Sequence, residues 1–344
     1  MRDHVYDVLR RLGQCAELGG GDSGRALILG LLRLRGDDPA QAFTGEGHAP
    51  APLTSAELDA GVAKAGPDLN VPDWARGMLA DRFGPNIGTL LSRLGERAPL
   101  YLRLNIRKAD MERALQSLAT DGIVAEKSPL LDTAFEVTEG ARRVRLSAAY
   151  RDGLVEMQDL SVQLGVAAVD WPKTGRILDY CAGGGGKSLA IACLSEASLF
   201  AHDGSARRML DLPERARRAG VSLSILEPEK AAHSGPYDAV LCDVPCSGSG
   251  TWRRDPEAKW RRDADDLDRL VGVQSQILDT ASDLVRPGGM LVYMTCSLFE
   301  AENDGQIHAF IDRHADWSVK SQRMDTPLTA SDGFFTTVLQ HSGS

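Results

Sequence analysis

The sequence predicts an α/β protein whose larger part is a mostly parallel sheet with helices on both faces. From residue 175 on, short apolar segments recur, and most of them are separated by stretches long enough for a helix. Strands that alternate with helices are typical of parallel sheets with right-handed crossovers. The predicted strands are GRILDYC (175–181), ASLFAHD (197–203), VSLSIL (221–226), YDAVLCDV (237–244) and GGMLVYMTC (288–296).

Two smaller regions are predicted before this sheet. Residues 1–70 contain helix-like pieces separated by glycine- and proline-rich segments, and predict a short helical region. Residues 71–150 predict a small α+β domain. Within it, LYLRLNI alternates with a period of two, and ADMERALQSLATDG has helical spacing that ends at a glycine. The larger α/β domain is then expected to span residues 151–344.

Composition and charge limit the possible functions. The chain is 25% charged and carries a net charge of −9, so it has no general attraction for nucleic acids. Any contact with RNA must come from local basic segments. Candidates for such contacts are residues 141–151, 206–218, 253–254 and 261–262.

The location of the protein is predicted from what the sequence lacks. No apolar run approaches the ~20 residues of a membrane helix, and the N-terminus lacks the apolar core of a signal peptide. We therefore expect a cytoplasmic protein with no membrane partner and with its six cysteines reduced. No metal site is expected, because Cys242 and Cys246 have no second close pair of cysteines or histidines.

Several reactive side chains are predicted to lie at one edge of the sheet. Cys181, Asp203, Asp243, Cys246 and Cys296 all stand at or just after the ends of predicted strands. Ligands of open α/β sheets bind outside the carboxyl ends of the strands. The topology therefore predicts a site at this edge.

The glycine-rich segment CAGGGGK (181–187) follows a strand and opens a helix. A phosphate-binding Walker loop would need a glycine where Cys181 stands, and the dinucleotide fingerprint would need its third glycine at Ser188. A methyltransferase loop needs neither. Asp203, at the end of the next strand, would suit the ribose of S-adenosylmethionine or of a nicotinamide cofactor, so the loop and this acid leave both open.

Longer motifs decide between these alternatives. DVPCSGSGTWRRDPEAKW (243–260) and PGGMLVYMTCSLFEAEND (287–304) resemble the two cysteine motifs of the Nop/Sun (RsmB-like) family of RNA cytosine-5 methyltransferases. CAGGGGK takes the place of the family's C-A-x-P-G-G-K loop, and GLVEMQDLS (153–161) resembles the opening of its catalytic domain. The resemblance runs from PDWARGMLADRFG (72–84) to DGFFTTVLQ (332–340), about four-fifths of the chain.

The resemblance implies a Rossmann-like class I methyltransferase domain, S-adenosylmethionine as the cofactor, and RNA as the partner. Ribosomal RNA is the favoured substrate, and tRNA is the less favoured one. The protein is expected to be a monomer. Residues implied in cofactor binding are Cys181, Ala182, Gly183, Gly184, Gly185, Gly186, Lys187, Asp203, Glu227 and Asp243.

Two thiols suit the chemistry that the resemblance implies. C5 of cytosine is a poor nucleophile, but a thiolate that adds to C6 turns the ring into a species whose C5 attacks the sulfonium methyl. The resemblance makes Cys296 the nucleophile and Cys246 the residue that assists release of the methylated RNA. Asp243 is expected to bind the cytosine edge, and Lys187, Arg253 or Arg254 to favour the thiolate.

Other motif residues receive supporting roles. Pro256, Lys259 and Trp260 are expected to fix the loop after the Cys246 motif, with Lys259 reaching a phosphate, and Asn303 to brace the Cys296 loop. In the segment 100–123, which resembles the family's small RNA-binding domain, we expect three cations to follow phosphates. They are Arg103, Arg107 and Lys108.

The chain departs from the family pattern in two places. Gly184 stands where the family has proline, which is expected to loosen the loop. The first 70 residues are fewer than a NusB-like domain of the relatives would need. The altered loop supports one alternative, an RNA-binding ribosome-assembly factor that has lost catalysis. The less favoured alternative is a nicotinamide oxidoreductase, which the glycine loop and Asp203 suggest but which would leave both cysteine motifs unexplained.

Overall fold

The computed structural model describes residues 2–59, 65–227, 230–231 and 234–343. Its helices are α1 (Arg2–Arg10), α2 (Leu12–Gly19), α3 (Gly24–Arg35), α4 (Ser55–Asp59), α5 (Asp73–Phe83), α6 (Ile87–Leu94), α7 (Met111–Thr120), α8 (Ala148–Arg151), α9 (Leu160–Ala167), α10 (Gly186–Ile191), α11 (Leu212–Ala219), α12 (Pro256–Arg261), α13 (Ala264–Ser282) and α14 (Asp304–Arg313). Its strands are β1 (Leu100–Leu104), β2 (Val124–Lys127), β3 (Ala134–Glu139), β4 (Val155–Met157), β5 (Arg176–Asp179), β6 (Ser198–Ala201), β7 (Ser224–Ile225), β8 (Tyr237–Asp243), β9 (Val285–Thr295), β10 (Trp317–Asp325) and β11 (Phe334–His341).

The chain forms two compact units. The first comprises Met1–Ala98 and Thr251–Ala264, and the second comprises Pro99–Gly250 and Asp265–Ser344. This division differs from the boundaries predicted at residues 70 and 150, which stay a prediction. None of the described helices is both long and apolar enough to cross a membrane.

The first unit is helical in its described residues. The side chains of α12 are bound to the end of α1: Lys259 Nζ donates to Arg10 O (3.0 Å) and Trp260 Nε1 donates to Leu9 O (2.8 Å). Lys259 is buried, and this burial lowers its pKa to about 7. The expectation that Lys259 reaches a phosphate is therefore wrong, because its amino group is turned inward to a backbone carbonyl.

The second unit contains a four-stranded antiparallel sheet in the order β2-β3-β1-β4. The strand and helix predicted for residues 100–122 are confirmed as β1 and α7. Asp110 caps α7 by accepting from Arg113 N. Apolar residues of the sheet and the helix, including Leu102, Leu118 and Phe135, form a buried core.

The three cations expected to follow phosphates in this region bind protein groups in the structure, and for Arg107 and Lys108 the phosphate role stays a prediction. Arg103 is buried, which lowers its pKa, and its Nη1 donates to Leu189 O (3.2 Å). Lys108 Nζ donates to Asp152 O (2.9 Å) and Arg218 O (2.6 Å). Arg107 Nη1 donates to Ala192 O. The phosphate role was wrong for Arg103, since its side chain is enclosed.

The second unit also contains a seven-stranded sheet in the order β10-β11-β9-β8-β5-β6-β7. The strands from β9 to β7 are parallel, whereas β11 and β10 run antiparallel to their neighbours. The predicted fold class is confirmed, and each of the five predicted strands is present. Val240 and Leu241 are fully buried in β8 and contribute to cores on opposite faces of the sheet, as expected for a parallel strand covered on both sides.

Candidate active site

The strand order changes direction between β5 and β8. From β5 the chain proceeds outward to β6 and β7, and it then returns to the other side of β5 with β8 and β9. Such a switch point opens a crevice at the carboxyl ends of the strands. Here the crevice holds a cavity of about 290 Å³, lined by Gln158, Val162, Asp179, Cys181, Ala182, Gly183, Gly184, Gly186, Lys187, Arg208 and Asp243.

The glycine loop forms one wall of this cavity. It turns sharply after β5, and Gly185 N donates to Ala182 O (2.8 Å). Gly183 and Gly185 have φ angles of 50° and 77°, in the region that favours glycine. Gly185 packs against Leu212 and is not among the described residues that line the cavity, whereas the other predicted loop residues from Cys181 to Lys187 are.

Asp203 lies two residues after the end of β6, close to the predicted strand end, and is buried. Its carboxylate accepts hydrogen bonds from Gly183 N (3.0 Å) and Ser205 N (2.9 Å) and pairs with Arg208 Nη1 (3.2 Å). The side chain therefore holds the glycine loop directly. Each carboxylate oxygen can accept more than one hydrogen bond, so these contacts leave acceptor capacity for a ribose.

Asp179, the last residue of β5, was missed by the sequence analysis. Its carboxyl group is buried and lines the cavity; Oδ2 accepts from Ser188 Oγ (2.6 Å), while Oδ1 is buried and has no partner among the described protein atoms. Burial raises the pKa of this carboxyl to about 7. An acid at the end of an apolar strand, two residues before the loop, was the signal that could have revealed it.

Lys187 and Asp243 form an ion pair across the cavity, with Nζ and Oδ2 2.5 Å apart. Burial disfavours the charged ammonium, but the Asp243 carboxylate outweighs this effect and raises the pKa of Lys187. Lys187 is also within electrostatic range of Cys296. The structure thus brings together three of the four predicted catalytic residues.

The fourth, Cys246, lies against Cys296. Cys246 follows β8 and Cys296 follows β9, and their sulfur atoms are 3.3 Å apart. The hydrogen bond with Cys296, together with burial, raises the pKa of the Cys246 thiol well above its ordinary value. Both thiols are partly exposed. Parallel neighbouring strands end at the same edge, which explains why side chains 50 positions apart meet.

Glu302 joins the two cysteine loops and was also missed. It is fully buried, and its carboxylate accepts from Ser247 N (2.7 Å), Ser247 Oγ (2.5 Å), Gln274 Nε2 (2.9 Å) and Ser297 Oγ. Ser247 and Ser297 are the residues that follow the two cysteines. A single carboxylate therefore fixes the backbone on both sides of the thiol pair.

Asn303 holds the Cys296 loop from the other side. Its Oδ1 accepts from Thr295 Oγ1 (2.5 Å), and its Nδ2 donates to Ser297 O (2.9 Å). These bonds fasten the residues immediately before and after Cys296. The contact expected for Asn303 is therefore present in the structure.

Glu227 is one predicted residue outside the described lining of the cavity. Its carboxylate is exposed and pairs with Lys230 (2.7 Å). Arg253 and Arg254 belong to the first unit. Cys15 and Cys242 are buried, and Cys193 is partly buried. In the described part of the chain, no group of three or more histidine, cysteine, aspartate and glutamate side chains could hold a metal ion.

Comparison with known proteins finds similarity to ribosomal RNA methyltransferases. The family model for 16S rRNA methyltransferase RsmB/F matches residues 167–341, and the one for the RsmF/B-like ferredoxin-like domain matches residues 71–144. Over 265 residues the chain is 34% identical to the probable ribosomal RNA small subunit methyltransferase B of Bacillus subtilis, covering 74% of this chain and 59% of the relative. The chain therefore spans about three-fifths of that relative's length.

Two solved structures share the fold. The crystal structure of PH0851 aligns with a TM-score of 0.78 at 22% identity, covering 98% of this chain and 89% of the other. NSun6 from Pyrococcus horikoshii, solved with SFG, an S-adenosylmethionine analogue, aligns with a TM-score of 0.69 at 18% identity, covering 78% of this chain and 98% of the other.

Proposed function

Because the chain belongs to the RsmB/F family of 16S rRNA methyltransferases, we propose that it methylates C5 of a cytosine in ribosomal RNA, with S-adenosylmethionine as methyl donor. The observation that carries the proposal is the pair of thiols, 3.3 Å apart at the ends of neighbouring strands. A nicotinamide oxidoreductase would leave the role of these two thiols unexplained.

The residues around the cavity fit S-adenosylmethionine. Asp179 Oδ1 is buried and has no partner within the described part of the chain, as expected for an acceptor that awaits a ligand donor. Asp203 holds the glycine loop and keeps acceptor capacity for ribose hydroxyls. When bound, the cofactor supplies a methyl group on a sulfonium ion. Glu227 stays a predicted contact to its adenosine part.

The proposed reaction uses the two thiols in sequence. The Cys296 thiolate forms a bond to C6 of the cytosine, and C5 then takes the methyl group as the sulfonium carbon–sulfur bond breaks. A base removes the C5 proton, the C6–S bond breaks, and the C5–C6 double bond returns. Cys246, whose pKa is raised, is a thiol donor beside the departing sulfur and assists release.

Lys187 and Asp243 prepare the site for this chemistry. The ammonium of Lys187 lies in electrostatic range of Cys296, so its positive charge favours the thiolate. It also holds the Asp243 carboxylate, which is proposed to accept a hydrogen bond from the cytosine edge. The target base must leave its stack to enter this crevice.

The proposal also concerns the partner, the location and the oligomeric state of the protein. Ribosomal RNA is the proposed partner because the relative from Bacillus subtilis carries that substrate in its name. A cytoplasmic location, the absence of a membrane partner and a monomeric state stay predictions.

The test traps the covalent intermediate. The Cys246→Ala variant is mixed with S-adenosylmethionine and total RNA from cells that lack the enzyme, and a denaturing gel is run. A slowly migrating protein–RNA band that disappears in the Cys246→Ala/Cys296→Ala variant supports the proposal, and sequencing of the trapped RNA identifies the cytosine.

Two other outcomes speak against parts of the proposal. If the wild-type protein methylates RNA but no band forms, Cys246 is not the release residue. If the wild-type protein binds RNA without methylating it, even in partially assembled ribosomal particles, the protein is a binding factor.

A further inference from the structure

The four-glycine loop is held from outside by two side chains that bind its carbonyl groups. Arg215 Nη1 donates to Gly184 O, and Gln158 Nε2 donates to Gly186 O (3.2 Å). Arg215 lies on α11, three residues after Leu212, which packs against Gly185. Residues three apart share one face of a helix, so α11 presents both side chains to the loop.

Both side chains are themselves fixed by the small antiparallel sheet. The buried Glu156, on β4, pairs with Arg215 Nη2 (3.3 Å), and Gln158 Oε1 accepts from Arg103 Nε (2.7 Å). Arg103 and Glu156 are directly opposed on β1 and β4. The loop is therefore connected to this sheet by two chains of polar contacts, one for each carbonyl: an ion pair links Arg215 to Glu156, and a hydrogen bond links Gln158 to Arg103.

Arg215 occupies space that a side chain at position 184 would need. A Cβ atom built on Gly184 would lie 2.7 Å from Arg215 Nη1, which is too close for both groups to remain. Gly184 is not among the described glycines with positive φ, so its backbone does not itself require glycine. A proline at position 184 would thus displace the Arg215 guanidinium from its present position.

We propose that Arg215, held by Glu156, is a positioning residue that fixes the glycine loop for the cofactor in place of the proline of the family motif. This inference rests on the proposed function, since the loop is taken to bind S-adenosylmethionine. A hydrogen bond from a charged donor contributes more than the entropy that one proline saves, so the arginine suffices to replace it.

The experiment compares Arg215→Ala, Gly184→Pro and the double variant. Arg217→Ala is the matched control, because Arg217 lies on the same helix but is exposed and pairs with Glu214. Amide hydrogen exchange of residues 182–187 is measured in the ligand-free proteins, and the dissociation constant of S-adenosylmethionine is measured by calorimetry.

We expect Arg215→Ala to speed exchange in the loop and to weaken S-adenosylmethionine binding about tenfold. In the Gly184→Pro background, removal of Arg215 should change neither quantity by more than about twofold, because the proline has already taken over its task. Arg217→Ala should match the wild type. Glu156→Gln, which weakens the ion pairs of Glu156 with Arg215 and Arg218 and leaves the loop sequence unchanged, should shift exchange in the same direction as Arg215→Ala.

Three results would overturn the inference: unchanged loop exchange in both Arg215→Ala and Glu156→Gln, an equal loss on removal of Arg215 with and without the proline, or an equal loss in Arg217→Ala. If the Gly184→Pro variant fails to fold, hydrogen exchange in the Glu156→Gln variant still tests the inference. If the wild-type protein binds no S-adenosylmethionine, the proposed function fails, while hydrogen exchange still tests whether Arg215 holds the loop.

Discussion

Lys187 and Asp243 lie on different sides of the switch point, yet their Nζ and Oδ2 atoms are 2.5 Å apart. Lys187 belongs to the first turn after the glycine loop, and Asp243 is the last residue of β8. The pair therefore connects the wall of the cavity to the strand that leads into Cys246. Its charges are partly shielded from solvent, which strengthens their interaction over that of a surface pair.

We predict that Lys187→Met lowers kcat of RNA methylation by about 100-fold, because both the thiolate and Asp243 lose their neighbouring cation. The control is Arg286→Met. Arg286 pairs with Asp238 (2.7 Å) at the opposite end of the same sheet, so its loss removes an ion pair without touching the site. Single-turnover rates at saturating S-adenosylmethionine measure the difference, and equal rates for the two variants would refute the role of Lys187.

Glu302 should be needed for the order of the thiol pair. We predict that Glu302→Gln lowers the free energy of unfolding by about 2–4 kcal/mol. The new amide nitrogen is a donor, and it would face the N–H and hydroxyl groups that donate to the carboxylate in the wild-type protein. The substitution should also abolish the trapped adduct in the Cys246→Ala background. Urea unfolding measures the first effect and the denaturing gel the second.

The matched control for this variant is Glu300→Gln, since Glu300 is exposed and only two residues away. Its stability and adduct formation should equal those of the parent. If Glu302→Gln has the stability of Glu300→Gln, the buried carboxylate is not what fixes the two loops.

Asp203 is predicted to act on cofactor binding. Asp203→Ala removes the acceptor for Gly183 N and Ser205 N, so the loop loses a support and the ribose loses a partner. We expect the dissociation constant of S-adenosylmethionine to rise at least about tenfold. Glu214→Ala, which removes an exposed carboxylate on α11, serves as the control. A dissociation constant unchanged by Asp203→Ala would exclude Asp203 from the site.

The sequence predicted the parallel sheet and the strand-end residues because both depend on local pattern. Each parallel strand is a short apolar run, and one edge collects the residues that follow such runs. The antiparallel strands β10 and β11 were not predicted. β10 contains WSVKSQRMD, and most of its side chains are exposed, so it lacks the apolar run that identified the others.

The missed site residues depend on tertiary contacts. The role of Glu302 exists only because two loops 50 positions apart meet at its carboxylate, and no local spacing encodes this. The phosphate contacts predicted for Arg103 and Lys259 were wrong because tertiary contacts bury these side chains. Each is a cation in a polar segment, which favours an exposed position, but each is enclosed and bonded to backbone carbonyl groups.

The raised pKa of Asp179 predicts that the stability of the protein depends on pH. The pKa of Asp179 is raised by burial from the ordinary 3.8 to about 7, and the hydrogen bond from Ser188 opposes this rise only in part. Between these two values the folded protein binds a proton that the unfolded chain has released. Stability from this group is therefore complete below about pH 4 and is lost as the pH rises to about 7.

Asp179→Asn should remove this dependence, because the amide does not titrate and, like the protonated carboxyl, combines an acceptor oxygen with a donor group. We expect the wild-type protein to lose more stability than the variant between pH 5 and pH 8, with an upper bound of roughly 3 kcal/mol. Urea unfolding of the ligand-free proteins at the two pH values measures it. Parallel pH profiles would mean that Asp179 is already ionised at pH 5, and that its carboxylate carries a charge before any ligand binds.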